Sequence, residues 1–194
     1  VTIFGYLLVL ATNKLKGDYL ALATLSFSFV VYSLLLNLTF LTRGPLGVAG
    51  IMKPEFFGLR ILYPSEYLIF VVIIVTISVL IIHRIVKSPF GRLLQATRDD
   101  ELGLKVLGKN TFKFKYKAMM ISAFFAGIAG SLFAHYITYI EPNSFTLSEL
   151  IFVLTIVIVG GLASLKGSVV SAFIIVMIPE ALRFLSLPSA ILGP

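Results

Sequence analysis

The stretch SPFGRLLQATRDDELGLKVLG, Ser88–Gly108, decides how this chain is read: it is the one long run that a bilayer core would reject, and apolar segments flank it on both sides. Ser88 stands as an N-cap before Pro89 at the first helical position, which is a helix-start signal. Phe90, Leu93, Leu94 and Thr97 then fall on one helical face, with Arg92 and Gln95 turned away. Asp99, Asp100 and Glu101 form an acidic knot suited to the first turn of a second short helix, where the helix dipole favours carboxylates. Gly108 is placed to end that helix as a C′ glycine, with Asn110 just beyond. Two short amphipathic helices on a membrane protein read either as a docking face or as an ordinary loop lying on the headgroups.

Outward from this stretch the chain is apolar. Of 194 residues 58% are hydrophobic and only 13% charged, about half the charged share of a soluble domain. An integral membrane protein follows. The net charge of +7 does not point to nucleic acid, because most of the excess sits in one segment: Arg84 to Lys117 holds nine Lys or Arg against three acids. Each basic residue would cost about 2.5–3.5 kcal/mol at the membrane centre, so residues 84–117 stay in water as a loop. The positive-inside rule makes that loop cytoplasmic. With no cysteine, disulfides and thiolate chemistry are excluded. His83 and His135 are too scattered for a metal site, so no metal is expected. The chain opens at Val1 inside an apolar run and stops at Pro194, and reads as a fragment of a single membrane domain lacking both ends.

Residues 1–11 read as the tail of a membrane helix, and Asn13, Lys14, Lys16 and Asp18 as a polar turn. Tyr19 to Leu41 is 23 residues without a charge, enough to cross a hydrocarbon core of about 30 Å. Ser26, Ser33 and Asn37 form one polar stripe on it; Thr24 and Ser28 share the opposite side. Polar groups in lipid need partners, so these stripes bond to other helices or line a translocation path. Residues 42–65 are a turn-rich external loop, with Gly44, Pro45, Gly47, Gly50, Pro54, Gly58 and Pro64. Tyr67–Ile82 is the next span, and Arg84 and Lys87 snorkel at its end. Residues 118–140 are another, where Ser122, Ala126, Gly130, Ala134 and the adjoining Ala123, Gly127, Ser131 form small-residue rows that admit a second backbone. Within 149–183, Gly160-Gly161 ends one apolar run and Pro179-Glu180 breaks the next; two short spans, broken helices and a re-entrant hairpin all fit. Alternation places Lys14–Asp18 and Lys166 on the cytoplasmic side and 42–65 and 141–148 outside.

The chain carries no phosphate-binding loop, dinucleotide fingerprint, zinc-protease motif or nucleophile elbow, so it is not expected to be an enzyme. The acids 99–101 diverge by about 100° per residue on a helix and do not converge on a metal or substrate.

Six pieces in order carry a family resemblance: Leu15–Tyr19 with Ala21 and Thr24-Leu25; Leu41–Ile51 (LTRGPLGVAGI); Ser88–Arg92 with Ala96–Arg98 and Leu107–Asn110; Ser122–Leu132 (SAFFAGIAGSL); Gly160–Gly167 (GGLASLKG); and Pro179–Arg183 (PEALR). Together they resemble the branched-chain amino-acid ABC transporter permeases of the LivM type, over nearly the whole chain. The resemblance implies an all-α, polytopic transmembrane bundle with a cytoplasmic coupling-helix loop, in the inner membrane of a prokaryote. It also implies partners: ATP-binding subunits that use the ATP, a second related permease, an extracytoplasmic substrate-binding protein and membrane lipid. No cofactor is bound by the chain itself.

On that resemblance Ser88, Phe90, Arg92, Leu93, Leu94, Gln95, Arg98, Asp99, Asp100, Glu101 and Gly108 form the contact with the ATPase subunit. Phe90, Leu93 and Leu94 are its apolar anchors, and Arg92, Arg98 and the acidic knot its polar rim. Leu102–Val106 (LGLKV) departs from the small residues, alanine especially, that many relatives carry there. The substrate implied is a branched-chain amino acid; similar permeases carry urea, amides or other small solutes. The alternative is an ATP-independent carrier or channel, which predicts ion-coupling acids in the spans, where Glu180 is the one faint candidate. A non-transporting scaffold holding anionic lipid is a third reading.

Overall fold

The computed structural model describes residues 2–12, 15, 18–56, 59–60 and 63–186. Asn13, Lys14, Lys16 and Gly17 of the polar turn, and Gly58 of the loop, lie outside them. The described elements are α1 (Thr2–Thr12), α2 (Asp18–Asn37), α3 (Thr39–Thr42), β1 (Val48–Ala49), β2 (Glu55–Phe56), β3 (Leu59–Arg60), α4 (Pro64–Lys87), α5 (Pro89–Asp99), α6 (Glu101–Val106), α7 (Thr111–Ile137), β4 (Tyr139–Ile140), α8 (Leu147–Gly160) and α9 (Leu165–Ser186). Among the described residues, five helical stretches are long and apolar enough to cross a membrane. Their side chains face outward: Leu68, Val72, Leu80 and Phe173 are more than half exposed. Water would not tolerate such a surface and lipid does; the protein is an all-α, multi-pass membrane protein.

The helices outrun the apolar runs. The span expected at Tyr67–Ile82 is the middle of the 24-residue α4, and that expected at 118–140 lies in the 27-residue α7. At about 1.5 Å per residue these are roughly 36 and 40 Å long, more than a bilayer core. Apolarity marks where the hydrocarbon is; the helix itself follows backbone hydrogen bonding, which continues into water until a cap stops it. Pro64 at the first position and the Glu66 carboxylate, which accepts from the Tyr63 N–H at 3.4 Å, start α4. The uncharged run Tyr19–Leu41 behaves in the opposite way, dividing at Leu38 into α2 and α3.

Contacts divide the chain into two units, Val1–Pro142 and Asn143–Pro194. In the first, α1 lies against α7, with the rings of Tyr6 and Tyr116 edge to face at 5.7 Å. A Cβ built on Gly5 would come within 2.7 Å of the Ala123 methyl, so the small-residue row on α7 is used as expected at this position. Tyr67 of α4 donates to the Leu132 carbonyl at 2.6 Å and stacks on Tyr136 at 5.9 Å. Gly127 and Ser131 floor a cleft of about 400 Å³ between α4 and α7. The other row is split: Ser122 and Ala126 are exposed, Gly130 is half-buried and Ala134 is buried. Strands β1 and β4 pair antiparallel, Val48 opposite Ile140 and Ala49 opposite Tyr139, fastening the loop expected at 42–65 to the end of the segment expected to span at 118–140.

In the second unit α8 and α9 form a helical hairpin around a turn capped by Gly161 at φ +90°. Ser171, 4% exposed, donates to the Ile156 carbonyl at 2.7 Å and ties the two together. The break expected at Pro179-Glu180 does not occur: α9 runs through Pro179 for 22 residues, about 33 Å, a full span. Proline removes one N–H, and the rest of the helix carries the segment across it.

Candidate functional site

Residues 84–117 are not an open loop. They comprise the end of α4, both short helices and the first two turns of α7, joined by caps. The Ser88 hydroxyl accepts from the Gly91 N–H at 3.3 Å and donates to the Ile85 carbonyl at 2.6 Å, so one side chain ends α4 and starts α5. Gly91 is buried at this corner, where an added Cβ would lie 2.1 Å from the Val86 carbonyl oxygen and 2.6 Å from that of Ile85. Glycine is required here for a close approach of backbone to backbone.

The apolar face of α5 is turned inward. Phe90 meets Phe114 of α7 with ring centroids 6.2 Å apart, Leu93 and Leu94 are half-buried, and Thr97 is buried with its hydroxyl donating to the Leu93 carbonyl at 2.7 Å. The residues read as apolar anchors therefore seat the helix on its own protein. Arg92, Gln95, Arg98 and Asp99 point outward, the last two paired at 2.9 Å. Outward-facing apolar groups come instead from the turn after them: Leu102 is 69% exposed, Val106 87% and Leu107 74%. Sequence reasoning did not place these three in the contact; Leu102 and Val106 lie in the segment that departs from small residues, which was the available signal, and Leu107 carried none.

The acidic knot separates into three roles. Asp99 closes α5 and does not enter the second helix as expected; Asp100 is the N-cap of α6, accepting from the Gly103 N–H at 2.9 Å; Glu101 lies in the first turn. Glu101 accepts from Lys115 at 2.6 Å, from Lys105 at 2.9 Å and from the buried Thr111 hydroxyl at 3.2 Å. The hydrogen bond from Lys115, then that from Lys105, lowers its carboxyl to a pKa of about 2. The Lys105 contact was visible as an i, i+4 pair; Lys115 is 14 residues away and was not. Gly108, at φ +72°, terminates α6 as read, while Asn110 caps the next helix by accepting from the Lys113 N–H at 3.2 Å.

Glu101 is thus a strut between α6 and the foot of α7. Both lysines are about half exposed, so solvent screens the pair, and Glu101→Gln is expected to weaken the junction by about 1 kcal/mol. Because the folded pKa is depressed, the stabilisation is present above the ordinary value of 4.5 and is lost as pH falls toward 2. Hydrogen exchange in α6, relative to intrinsic rates, should be several-fold faster in the variant at neutral pH and equal to wild type near pH 2. Equal rates at neutral pH would remove the strut.

The stripe Ser26, Ser33 and Asn37 stays exposed on α2, and Asn37 donates to the Ser33 carbonyl at 2.8 Å. On the opposite side Ser28 bonds the Thr24 carbonyl at 3.1 Å. His135 lies 2.7 Å from the Ser131 carbonyl of its own helix. Among the described residues no group of His, Cys, Asp or Glu is placed to hold a metal ion.

Residues 1–192 match the model of the family described as branched-chain amino acid transport system, permease component. A high-affinity branched-chain amino acid transport system permease protein LivM from Salmonella typhimurium is 38% identical over 92% of this chain and 48% of its own length. A probable LivM of Methanocaldococcus jannaschii is 32% identical over 85% of the chain and 48% of its own length. An autoinducer 2 import system permease protein LsrC from Photorhabdus laumondii is 30% identical over 53% of the chain and 32% of its own length. The chain spans about half the length of the LivM relatives it matches. No solved structure matches it. With the family model matched over residues 1–192 and five helical stretches able to cross a membrane among the described residues, the chain belongs to the branched-chain amino acid transport system permease family.

Proposed function

We propose that this chain is part of the permease subunit of an ATP-driven importer, with residues 88–108 as the element that receives movement from an ATP-binding subunit. One observation carries the reading: two short capped helices are mounted on the ends of α4 and α7, leaving an outward face of both apolar and charged groups. A loop resting on headgroups needs no such mounting. Leu102, Val106 and Leu107 form the apolar contact, and Arg92, Gln95, Arg98, Asp99 and Asp100 its polar surround. Phe90, Leu93, Leu94, Glu101 and the caps Ser88 and Gly108 hold the platform to the spans, so a push on the outward face tilts α4 and α7.

The basic end faces the cytoplasm of a prokaryotic cell, by the positive-inside rule. A second related permease completes the path, with the exposed Ser26–Ser33–Asn37 stripe toward it, and a substrate-binding protein delivers solute from outside. The chain performs no chemistry; ATP is used by the partner. The names of the LivM relatives support a branched-chain amino acid as the solute, while the LsrC relative is named for a different one, so the substrate rests on the stronger, longer match.

The absence of cysteine supplies the test. A cysteine introduced at Gln95 of the full-length parent protein, carrying a photocrosslinker, is irradiated in native membranes. Capture of an ATP-binding subunit is the expected result. Capture of lipid alone, with the protein folded and inserted, would overturn the reading in favour of an independent carrier.

A further inference from the structure

At the basic end of α4 a groove of about 740 Å³ is lined by Leu80, Ile81, His83, Arg84, Lys87 and Ser88. It contains no acid, and among the described residues the side chains of Arg84 and Lys87 make no hydrogen bond or ion pair. The nearest acids in sequence are engaged elsewhere: Asp99 with Arg98, Asp100 with the Gly103 N–H and Glu101 with two lysines. Two cations thus stand together without a counterion, on a segment whose mounting role uses neither of them.

Their position along the helix says what completes them. Ile73, Ile77, Leu80, Arg84 and Lys87 recur at spacings of four and three, one stripe of a helix. Ile73, Ile77 and Leu80 are each about half exposed or more, and the same stripe turns basic one turn beyond the last of them. Leu80 to Lys87 spans about 10 Å, matching the step from the edge of the hydrocarbon into the headgroup layer. An acidic protein surface would meet the cations but not the apolar stripe beneath; a neighbouring apolar helix would meet the stripe but leave the cations unpaired. A molecule with a fatty chain and an anionic head meets both.

We propose that this stripe is a binding site for one anionic phospholipid, its acyl chain along Ile73, Ile77 and Leu80 and its phosphate between Arg84 and Lys87. The site is independent of the solute carried and of the ATPase contact. It differs from general snorkelling in being selective for the headgroup charge, with each basic residue contributing about fivefold in preference.

The test uses the full-length parent protein in nanodiscs with trace photoactivatable phosphatidylglycerol, or phosphatidylcholine bearing the same label, and maps crosslinked peptides by mass spectrometry. Phosphatidylglycerol is expected to label residues 73–88 at least about fivefold more than phosphatidylcholine, and Arg84→Gln with Lys87→Gln to remove the preference, while Arg84→Lys with Lys87→Arg retains it. In the unmodified protein, excess unlabelled phosphatidylglycerol should suppress the labelling and excess phosphatidylcholine should not, a readout that survives even if the double variant does not insert. Equal labelling by both lipids, or equal competition by both, would overturn the proposal.

Discussion

Replacing Gly91 with alanine in the full-length parent protein is expected to lower solute uptake at least about tenfold without preventing membrane insertion. On helix propensity alone the substitution gains at most about 1 kcal/mol, the full value applying to a helix interior and Gly91 lying in the first turn of α5. The geometry reverses the sign. The new Cβ would lie 2.1 and 2.6 Å from the carbonyl oxygens of Val86 and Ile85, which belong to the backbone of α4 and cannot swing aside as a side chain does. Overpacking against backbone belongs at the upper end of a range of about 1–3 kcal/mol, leaving a net cost near 2 kcal/mol, a factor of roughly 30 in the population of the native corner. What opens is the joint between α4 and α5, so Phe90 is drawn from Phe114 and the outward face is carried to a new angle. On the function proposed above, uptake and the partner's ATP hydrolysis should separate: hydrolysis would persist while uptake falls. Uptake within about twofold of wild type, in cells with equal protein, would show that the corner does not transmit movement.

The second large effect is expected at Gly167. A Cβ there would overlap the Gly160 carbonyl oxygen, and a Cβ on Gly160 would in turn come within 2.6 Å of the Gly167 carbonyl carbon. At these two glycines the backbones of α8 and α9 approach closely, beside the turn closed by Gly161. Helices in lipid gain nothing from hiding apolar surface from one another, so contact distance and interhelical hydrogen bonds carry their association. Gly167→Ala spreads the hairpin and stretches the Ser171 bond to Ile156, and should cost about 3 kcal/mol. Thermal unfolding in mild detergent measures it. Leu162→Ala, in the turn at 74% exposure, is the comparison and should stay within about 0.5 kcal/mol. Similar losses in both would mean that the close approach is not what holds the hairpin.

Several features of the 88–108 platform were legible without coordinates because each is a local device. Ser88 before Pro89 marks a helix start, Gly108 marks a helix end, and the spacing of Phe90, Leu93, Leu94 and Thr97 marks one face of a helix. What the spacing could not convey is the direction of that face. An amphipathic stripe is the same whether it meets a partner or its own chain, and Phe114, which decides the matter, lies 24 positions from Phe90. Glu101 is a parallel case: a helix-start carboxylate by pattern, a three-way strut once α7 brings Lys115 and Thr111 to it.

By itself the sequence determined that this is a chain of membrane-crossing helices, where most of the crossings lie, and that a basic stretch separates two of them. Those follow from transfer energies and periodicities, which act residue by residue and need no knowledge of neighbours. The tertiary structure alone decided that α9 passes through Pro179, which way α5 faces, and that Gly91 and Gly167 are contact points between backbones. Those depend on close approaches and on partners distant in the chain, and such contacts have no signature in any short window of residues.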